Sequence, residues 1–546
     1  MMKKAIKKLL AALLAVAMVC AMAIPAFAYN YWETEEDLGQ NHCYDAFQIF
    51  KGDVTGNDTD GFKISNVGWG SSIAHPNEFL AQLTKDSTIG GEFETNFTAQ
   101  EAVAVISKWH DSDNNSIAFA RCVCNYVYSD GNSTPVLRGG HTNGFELEEA
   151  GYYLIVDTSS FSSDADGDSY HAYNSFLLKV DKAHHHVQIT PKVEKPTVEK
   201  KVYDNDDGSS SGDNNGWGSS ADHAINEEFQ FRLIAKLPAS EGRAYDYYNK
   251  YSVIFHDTLS GGITYDKDDE LDSVVIKSNG NTYNITDSSK YTIDTTDLES
   301  QNSFVVNIDV KACAKDAGFD LNDGATITVT YTAHLNENAA VNSSAENKNS
   351  VRLQYSNNPR PDGEYWGYTP NYTPESEVYV YTYQLNNTKY HDDDTPGNEL
   401  AGAGFRLYSG KDCTKEQEIK LKKNTTDGTY SPYFGADAGD EMFSDEHGQF
   451  NVKGLDAGTY YLKETTTPAD YNPCDVPPVI IKANHKGNQV DLNGSTLSTT
   501  IINKKAGGIT LPSTGGMGTT LFYVVGGGLM VAAIVLLVTK KRMENK

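Results

Sequence analysis

Several side chains able to do chemistry sit where alternating strands should present apolar ones. Val198, Lys200 and Val202 share one strand face; Val253, Phe255, Asp257 and Leu259 share another; Asn349, Val351 and Leu353 share a third. A lysine and an acid carried together into a core are costly to desolvate unless they pair or neutralise. Burial lowers the lysine pKa and raises that of the acid, so a neutral amine and a protonated acid can coexist. The neutral amine is then a nucleophile and the asparagine carboxamide an electrophile. The acid can polarise the amide carbonyl and carry the proton to departing ammonia. The product is a Lys200–Asn349 isopeptide bond with Asp257 as the catalytic acid. A second set repeats the order: Leu385 is in register with Lys389, Leu462 with Glu464, and Ile501 with Asn503. By analogy with disulfides, closing loops of 149 (349 − 200) and 114 (503 − 389) residues restricts the unfolded chain by roughly 4 to 5 kcal/mol each. A slipped register would leave all six side chains merely solvated.

The elements that must position these residues read as all-β, in tandem β-sandwich domains over 29–192, 193–380 and 381–505. The first stretch is turn-rich and aromatic-rich, with a helical segment expected over 99–108. In the second, Phe304, Val306, Ile308 and Val310 share a face, as do Ile327, Val329 and Tyr331, and Asn279-Gly280 marks a hairpin turn. The third is shorter, with strands over 405–408, 450–452 and 460–464.

Both ends look like processing signals. Residues 1–28 have four lysines, an apolar stretch and Ala26-Phe27-Ala28, the pattern of a secretory signal peptide. Residues 506–546 contain LPSTGG at 511–516, an uncharged apolar run over 521–538 just long enough to span a bilayer as a helix, and then Lys540, Lys541 and Arg542. The net charge of −29 includes +4 from the signal peptide and +3 from the segment after Thr514, leaving −36 on the exported product. Such a field argues against nucleic acid as a partner. Seven cysteines, of which Cys20 falls in the signal peptide, are too few to be the main staple of so long a secreted chain. A bridge from Cys43 to Cys122 or Cys124 and another between Cys413 and Cys474 are the candidates, while Cys313 is a small buried residue or a thiol.

The LPSTGG segment with its apolar run and basic tail resembles the wall-sorting signal of Gram-positive surface proteins. The resemblance implies that a sortase recognises Leu511 and Pro512, attacks the carbonyl of Thr514 and releases the chain from Gly515 onward. Val187, Ile189, Pro191 and Lys192 resemble the pilin motif of backbone subunits of sortase-assembled pili, with Thr190 where a tyrosine and Ala183 where a tryptophan usually stand. That likeness makes Lys192 the acceptor amine, with Lys195 its nearest competitor. YYLKETTTPADY resembles the E-box of collagen-adhesin B-type repeats, with Thr467 and Asp470 as departures, and so assigns Glu464 as the acid; FHDTLSGGITY and NKNSVRLQYSNNP resemble the isopeptide-forming fimbrial module. Such pilins are built of immunoglobulin-like sandwiches cross-linked by Lys, Asn and a catalytic Glu or Asp. The partners implied are a class C-type pilin sortase, a housekeeping sortase, further copies of the chain head to tail, peptidoglycan and host surface ligands, and the localisation implied is the cell wall and its pilus.

No Ser-His-Asp order, HExxH or phosphate-binding glycine loop stands out, so the chain reads as an enzyme's substrate rather than an enzyme, with no cofactor. His184, His185 and His186 cannot all face one ion from a strand, and the acidic loops 204–208 and 391–397 lack EF-hand spacing, so no metal is expected. The principal expectation is the shaft subunit of a covalent pilus. The alternative is a wall-anchored monomeric adhesin or minor pilin, and an exported enzyme would need a catalytic cleft the motifs do not supply.

Overall fold

A computed structural model describes residues 43–57, 61–109, 113–129, 133–141, 145–158, 175–180, 186–187, 195–204, 216–240, 243–266, 270–343, 345–357 and 372–506. Residues 1–28, expected to be a signal peptide, Lys192, Leu511, Pro512, Thr514, Gly515 and the apolar run 521–538 lie outside these residues. Among the described residues no helix is long and apolar enough to cross a membrane. The chain divides into two compact units. One comprises Met1–Gln384 with Lys453–Ala457 and Ile481–Ser495; the other comprises Leu385–Val452, Gly458–Ile480 and Thr496–Lys546.

The first unit opens with an antiparallel sheet in the order Gly61–Trp69, Cys43–Asn57, Gly151–Asp157, Ser175–Val180, with Leu137–His141 also pairing to Cys43–Asn57. Gly151–Asp157 is buried throughout because both faces are covered. Tyr152, Leu154 and Val156 face a cluster with Phe79, Phe119 and Val123, while Tyr153 and Ile155 join Tyr44, Ala46 and Leu147. Three helices supply the first cluster: Pro76–Leu83, Ala99–Ile106 and Asn114–Ser129. The expected helix near residue 99 is present, started by a capping box in which Thr98 and Glu101 satisfy each other's backbone N–H groups. The 16-residue Asn114–Ser129 helix departs from the sandwich expected for this stretch. Its residues Ile117 to Ala120, Cys122 to Cys124, Tyr126 and Val127 are all buried, leaving only a narrow polar stripe through Asn114, Arg121, Asn125 and Ser129 to mark it as a helix in the sequence.

The rest of this unit is a sandwich of two sheets. One has the order Asn281–Asn284, Ser273–Ser278, Ala325–Leu335, Glu228–Leu237, Thr197–Tyr203, Trp217–Gly218; the other runs Ser220–Asp222, Ser376–Tyr381, Lys348–Tyr355, Ser252–Leu259, Ser303–Asp309, Tyr291–Asp294. Their inner faces alternate as the sequence does, with Phe231, Leu233, Ile327 and Val329 from one and Val253, Phe255, Val306 and Leu353 from the other. The Asn279-Gly280 hairpin turns with φ of 46° and 76°, the double left-handed conformation that asparagine and glycine tolerate best.

In the second unit the strands Tyr383–His391 and Ser498–Asn503 lie side by side and parallel, from Asn386 opposite Ser498 to His391 opposite Asn503. Gly404–Tyr408 pairs antiparallel with Gly458–Thr466 on a separate sheet, placing Phe405 opposite Glu464. Phe405 stacks on Phe450 at 4.4 Å between ring centres, which anchors the core of this unit.

Among the described residues no disulfide forms. The expected bridge from Cys43 to Cys122 or Cys124 is absent: Cys122 lies within the Asn114–Ser129 helix, and its Sγ approaches an Asp86 carboxylate oxygen at 3.6 Å. Burial, and then Asp86, push that thiol up to about 12.

Candidate functional site

Lys200, Asp257 and Asn349 come from three different strands of the sandwich and meet inside it. Lys200 stands opposite Leu233, and Asp257 opposite both Phe304 and Val351; Asn349 stands opposite Leu259. Their relative exposures are 2%, 0% and 0%, so the polar groups face the core as the alternation requires. The Lys200 ammonium pairs with Asp257 Oδ2 and donates to Tyr331 Oη at 3.3 Å. Tyr331 Oη donates to Asp257 Oδ1 at 3.2 Å and accepts from Asn349 Nδ2 at 2.6 Å. Amine and carboxamide are therefore held to one phenolic oxygen, with the acid bonded to both the amine and that oxygen.

Burial pushes the Lys200 amine down to about 8, against the upward pull of Asp257. Burial likewise raises the Asp257 carboxyl, against the lysine and the tyrosine hydroxyl. Both shifts favour the uncharged pair, in which lysine is a nucleophile and aspartic acid a proton donor. Asn349 Oδ1 is buried with no hydrogen-bond partner. Such an orphaned carbonyl oxygen is costly at rest, and it is where a protonated acid would donate to polarise the amide.

The second set meets in the other unit. Lys389 and Asn503 are fully buried on the two adjacent parallel strands, while Glu464 is half-buried. Here the acid holds the amide rather than the amine: Asn503 Nδ2 donates to Glu464 Oε1 at 2.7 Å, and Glu464 Oε2 accepts from the Cys474 backbone N–H at 2.9 Å. Lys389 Nζ donates to the backbone carbonyls of Tyr390 and Ile501 at 3.2 and 3.3 Å. Burial lowers the Lys389 amine, against Cys474 and Glu464. Asn503 Oδ1 is again buried and unpartnered.

Two features of these sites escaped the sequence. Tyr331 read there as one of three core residues on a face, and only the structure reveals its hydroxyl as the hub of the first site; its phenol is held well above the ordinary value by burial and then by Asp257. Cys474 read as one end of a bridge to Cys413. The two are instead separate thiols: the Cys474 backbone is tied to Glu464, and Cys413 sits in a turn at φ 47° with Sγ near the Lys411 carbonyl. Burial pushes the Cys474 thiol up to about 11. In the acidic loop after His391, Asp393 is taken up by Thr395 N–H at 3.1 Å and Asn398 Nδ2 at 2.7 Å, the bonds of an ordinary turn.

Residues 386–496 match the SpaA family, described as a prealbumin-like fold domain, and residues 503–545 match the LPXTG cell wall anchor motif. No curated protein matches the chain in sequence. Among solved structures, the chain is similar to the pilus 2b backbone protein of group B streptococcus, at 22% identity over 56% of this chain and 98% of that one, with a TM-score of 0.38. It is similar to the T6 backbone pilin of serotype M6 Streptococcus pyogenes at 16% identity over 86% and 96%, TM-score 0.46. With the major pilin RrgB from Streptococcus pneumoniae the figures are 16%, 65% and 83%, TM-score 0.38. Likenesses at this level bear on neither activity nor partners. The two family matches lie in the C-terminal part of the chain, which is similar to a prealbumin-like SpaA domain followed by an LPXTG cell wall anchor motif.

Proposed function

We propose that the chain is the repeating shaft subunit of a covalent surface pilus. A pilin sortase joins Thr514 of one subunit to Lys192 of the next, and a housekeeping sortase transfers the finished fibre to peptidoglycan. The observation that carries this reading is the match to the LPXTG anchor motif on a chain whose two units each place a buried lysine and a buried asparagine beside a carboxylic acid. The resemblance of residues 187–192 to a pilin motif agrees with it.

In each unit the lysine Nζ attacks the asparagine Cγ, forming an N–C bond. The Cγ–Nδ2 bond breaks, and the acid moves one proton from the amine to the leaving nitrogen, so ammonia departs and the acid is regenerated. The link is made once per site. In the first unit it joins Thr197–Tyr203 to Lys348–Tyr355, and in the second it joins the adjacent parallel strands. Tension applied between residue 192 and residue 514 would then pass through covalent cross-links rather than through hydrogen-bonded ladders alone. An adhesin anchored as a monomer would use the same anchor but would need no acceptor lysine.

The test is a boiled, reduced wall extract from cells expressing the chain, probed for it on a gel. A high-mass ladder is expected, collapsing to a single band in Lys192→Ala. A ladder that survives this substitution would remove Lys192 from its role, and the absence of any ladder would favour the monomeric adhesin.

A further inference from the structure

Away from both lysine sites, the first unit gathers six ionisable groups: Asp204, Asp222 and His485 in one group, and His223, Glu227 and Asp456 in another, each with its ligand atoms within 4.8 Å of one another. In the first group the histidine is fully engaged, and Asp222 also bonds Asp456 of the second. Ser220 Oγ spends its proton on the Gly487 carbonyl at 2.7 Å, so His485 Nδ1 must donate to Ser220 at 2.8 Å, while Nε2 faces Asp222 Oδ1 at 2.7 Å. That ring is an imidazolium paired with a carboxylate and has no lone pair to offer.

His223 is different. Its Nε2 lies 2.7 Å from the Tyr203 carbonyl, which can only accept, so the N–H is on Nε2. The ring stacks on Phe229 with centroids 4.2 Å apart and planes within 1° of parallel, which fixes the direction of Nδ1. Nδ1 itself is buried and has no partner within hydrogen-bond distance among the described residues, on a residue only 2% exposed. It faces Glu227 Oε2 at 3.9 Å, beyond hydrogen-bond range, with Asp456 completing the group. An imidazole whose far N–H is anchored on a backbone carbonyl and whose Nδ1 faces two carboxylates has the second-shell arrangement of a metal ligand, the ion taking the place of any proton on Nδ1. Both acids are anchored too, Glu227 by the Ala224 N–H at 3.0 Å and Asp456 by the Ala457 N–H at 2.8 Å.

We propose that His223 Nδ1, Glu227 and Asp456 bind one divalent first-row transition ion, with zinc the best match. Nitrogen with two carboxylates suits that class better than calcium, which takes six or more oxygens. Tetrahedral zinc places its ligand atoms about 3.4 Å apart, so the 3.9 Å gap between Nδ1 and Oε2 closes with a small carboxylate rotation. The half-buried acids leave room for water at the fourth position. The ion staples the Lys453–Ala457 segment onto the stretch around His223, where Ile225 N–H already bonds Gly454 O at 3.0 Å and Ala457 N–H bonds Asp222 across 235 residues.

Equilibrium dialysis of the exported chain against Zn²⁺ after chelator treatment tests this, with Co²⁺ as a spectroscopic substitute. The expected result is one zinc per chain, affinity reduced at least ten-fold in Glu227→Gln, loss in His223→Gln, and cobalt absorption typical of four or five ligands. Binding should persist when His184, His185 and His186 are all changed to alanine. Circular dichroism and melting of the metal-free variants separate lost ligation from lost fold, and cobalt absorption in Asp456→Asn reads the site where His223→Gln fails to fold. Zinc that follows the 184–186 run instead would overturn the assignment, as would no binding below millimolar zinc, which would make His223–Glu227 an ion pair.

Discussion

The two lysine sites bring a lysine, an acid and an asparagine together in opposite arrangements. In the first unit the acid is fully buried and holds the amine, and a tyrosine hydroxyl links amine, acid and amide. In the second the acid is half-buried and holds the amide, while the amine rests on backbone carbonyls. Pairing the acid with the amine orients the nucleophile; pairing it with the carboxamide positions the electrophile. What the sites share is a buried lysine and an asparagine carbonyl oxygen without a partner. Burial and the unsatisfied amide are thus the common requirement, and the acid's resting partner is not.

The largest effect separating the sites is expected from removing the acid. Asp257→Ala prevents the first cross-link, costing about 4 to 5 kcal/mol of loop restriction. It also strands Lys200 without its partner, a further cost of about 3 to 5 kcal/mol. Chemical denaturation of the folded exported chain should show the first unit failing to fold or melting far below wild type. Glu464→Gln should remove only the cross-link term from the second unit, about 4 kcal/mol, because Lys389 keeps its backbone acceptors. Equal losses in the two variants would break the distinction.

Tyr331→Phe sharpens it. Without the hydroxyl, formation of the Lys200–Asn349 bond should slow at least ten-fold, within the range of a lost proton-relay contact, while the second unit links at its normal rate. Mass spectra taken during refolding read both rates.

A smaller effect concerns pH. In Asn349→Ala the pair Lys200–Asp257 stays unlinked, with the amine depressed to about 8 from its ordinary 10.5. Between those values the unfolded chain holds a proton that the folded one has lost, so stability rises with pH across the window. Wild type, whose amide nitrogen does not titrate, should lack that rise in urea melts at pH 8 and 10.5. Least affected should be Cys474→Ala, which loses the thiol's contact with Glu464 but keeps the backbone N–H bond to that carboxylate; its melting should stay close to wild type.

The inward placement of Lys200, Asp257, Asn349, Lys389 and Asn503 was legible because strand alternation reports which face a residue takes, and a polar group in register with apolar ones is an anomaly that period two exposes; Glu464, marked by its E-box likeness, is half-buried. Tyr331 was hidden by its dual nature, since an aromatic ring in a core face raises no alarm about its hydroxyl. The Asn114–Ser129 helix was hidden because its polar stripe through Arg121 and Asn125 is narrow beside its buried residues, and the cysteine pairings by the absence of any distance information in sequence spacing. The His223 group was out of reach for the same reason, since Asp456 arrives from a segment more than two hundred residues away.

The central claim is that each unit cross-links itself, and the intact mass of the exported chain tests it most directly. The prediction is a mass lower than that of the sequence by two molecules of ammonia, with tandem spectra locating the joins at Lys200–Asn349 and Lys389–Asn503. A mass equal to that of the sequence, from a chain shown to be folded, would contradict it.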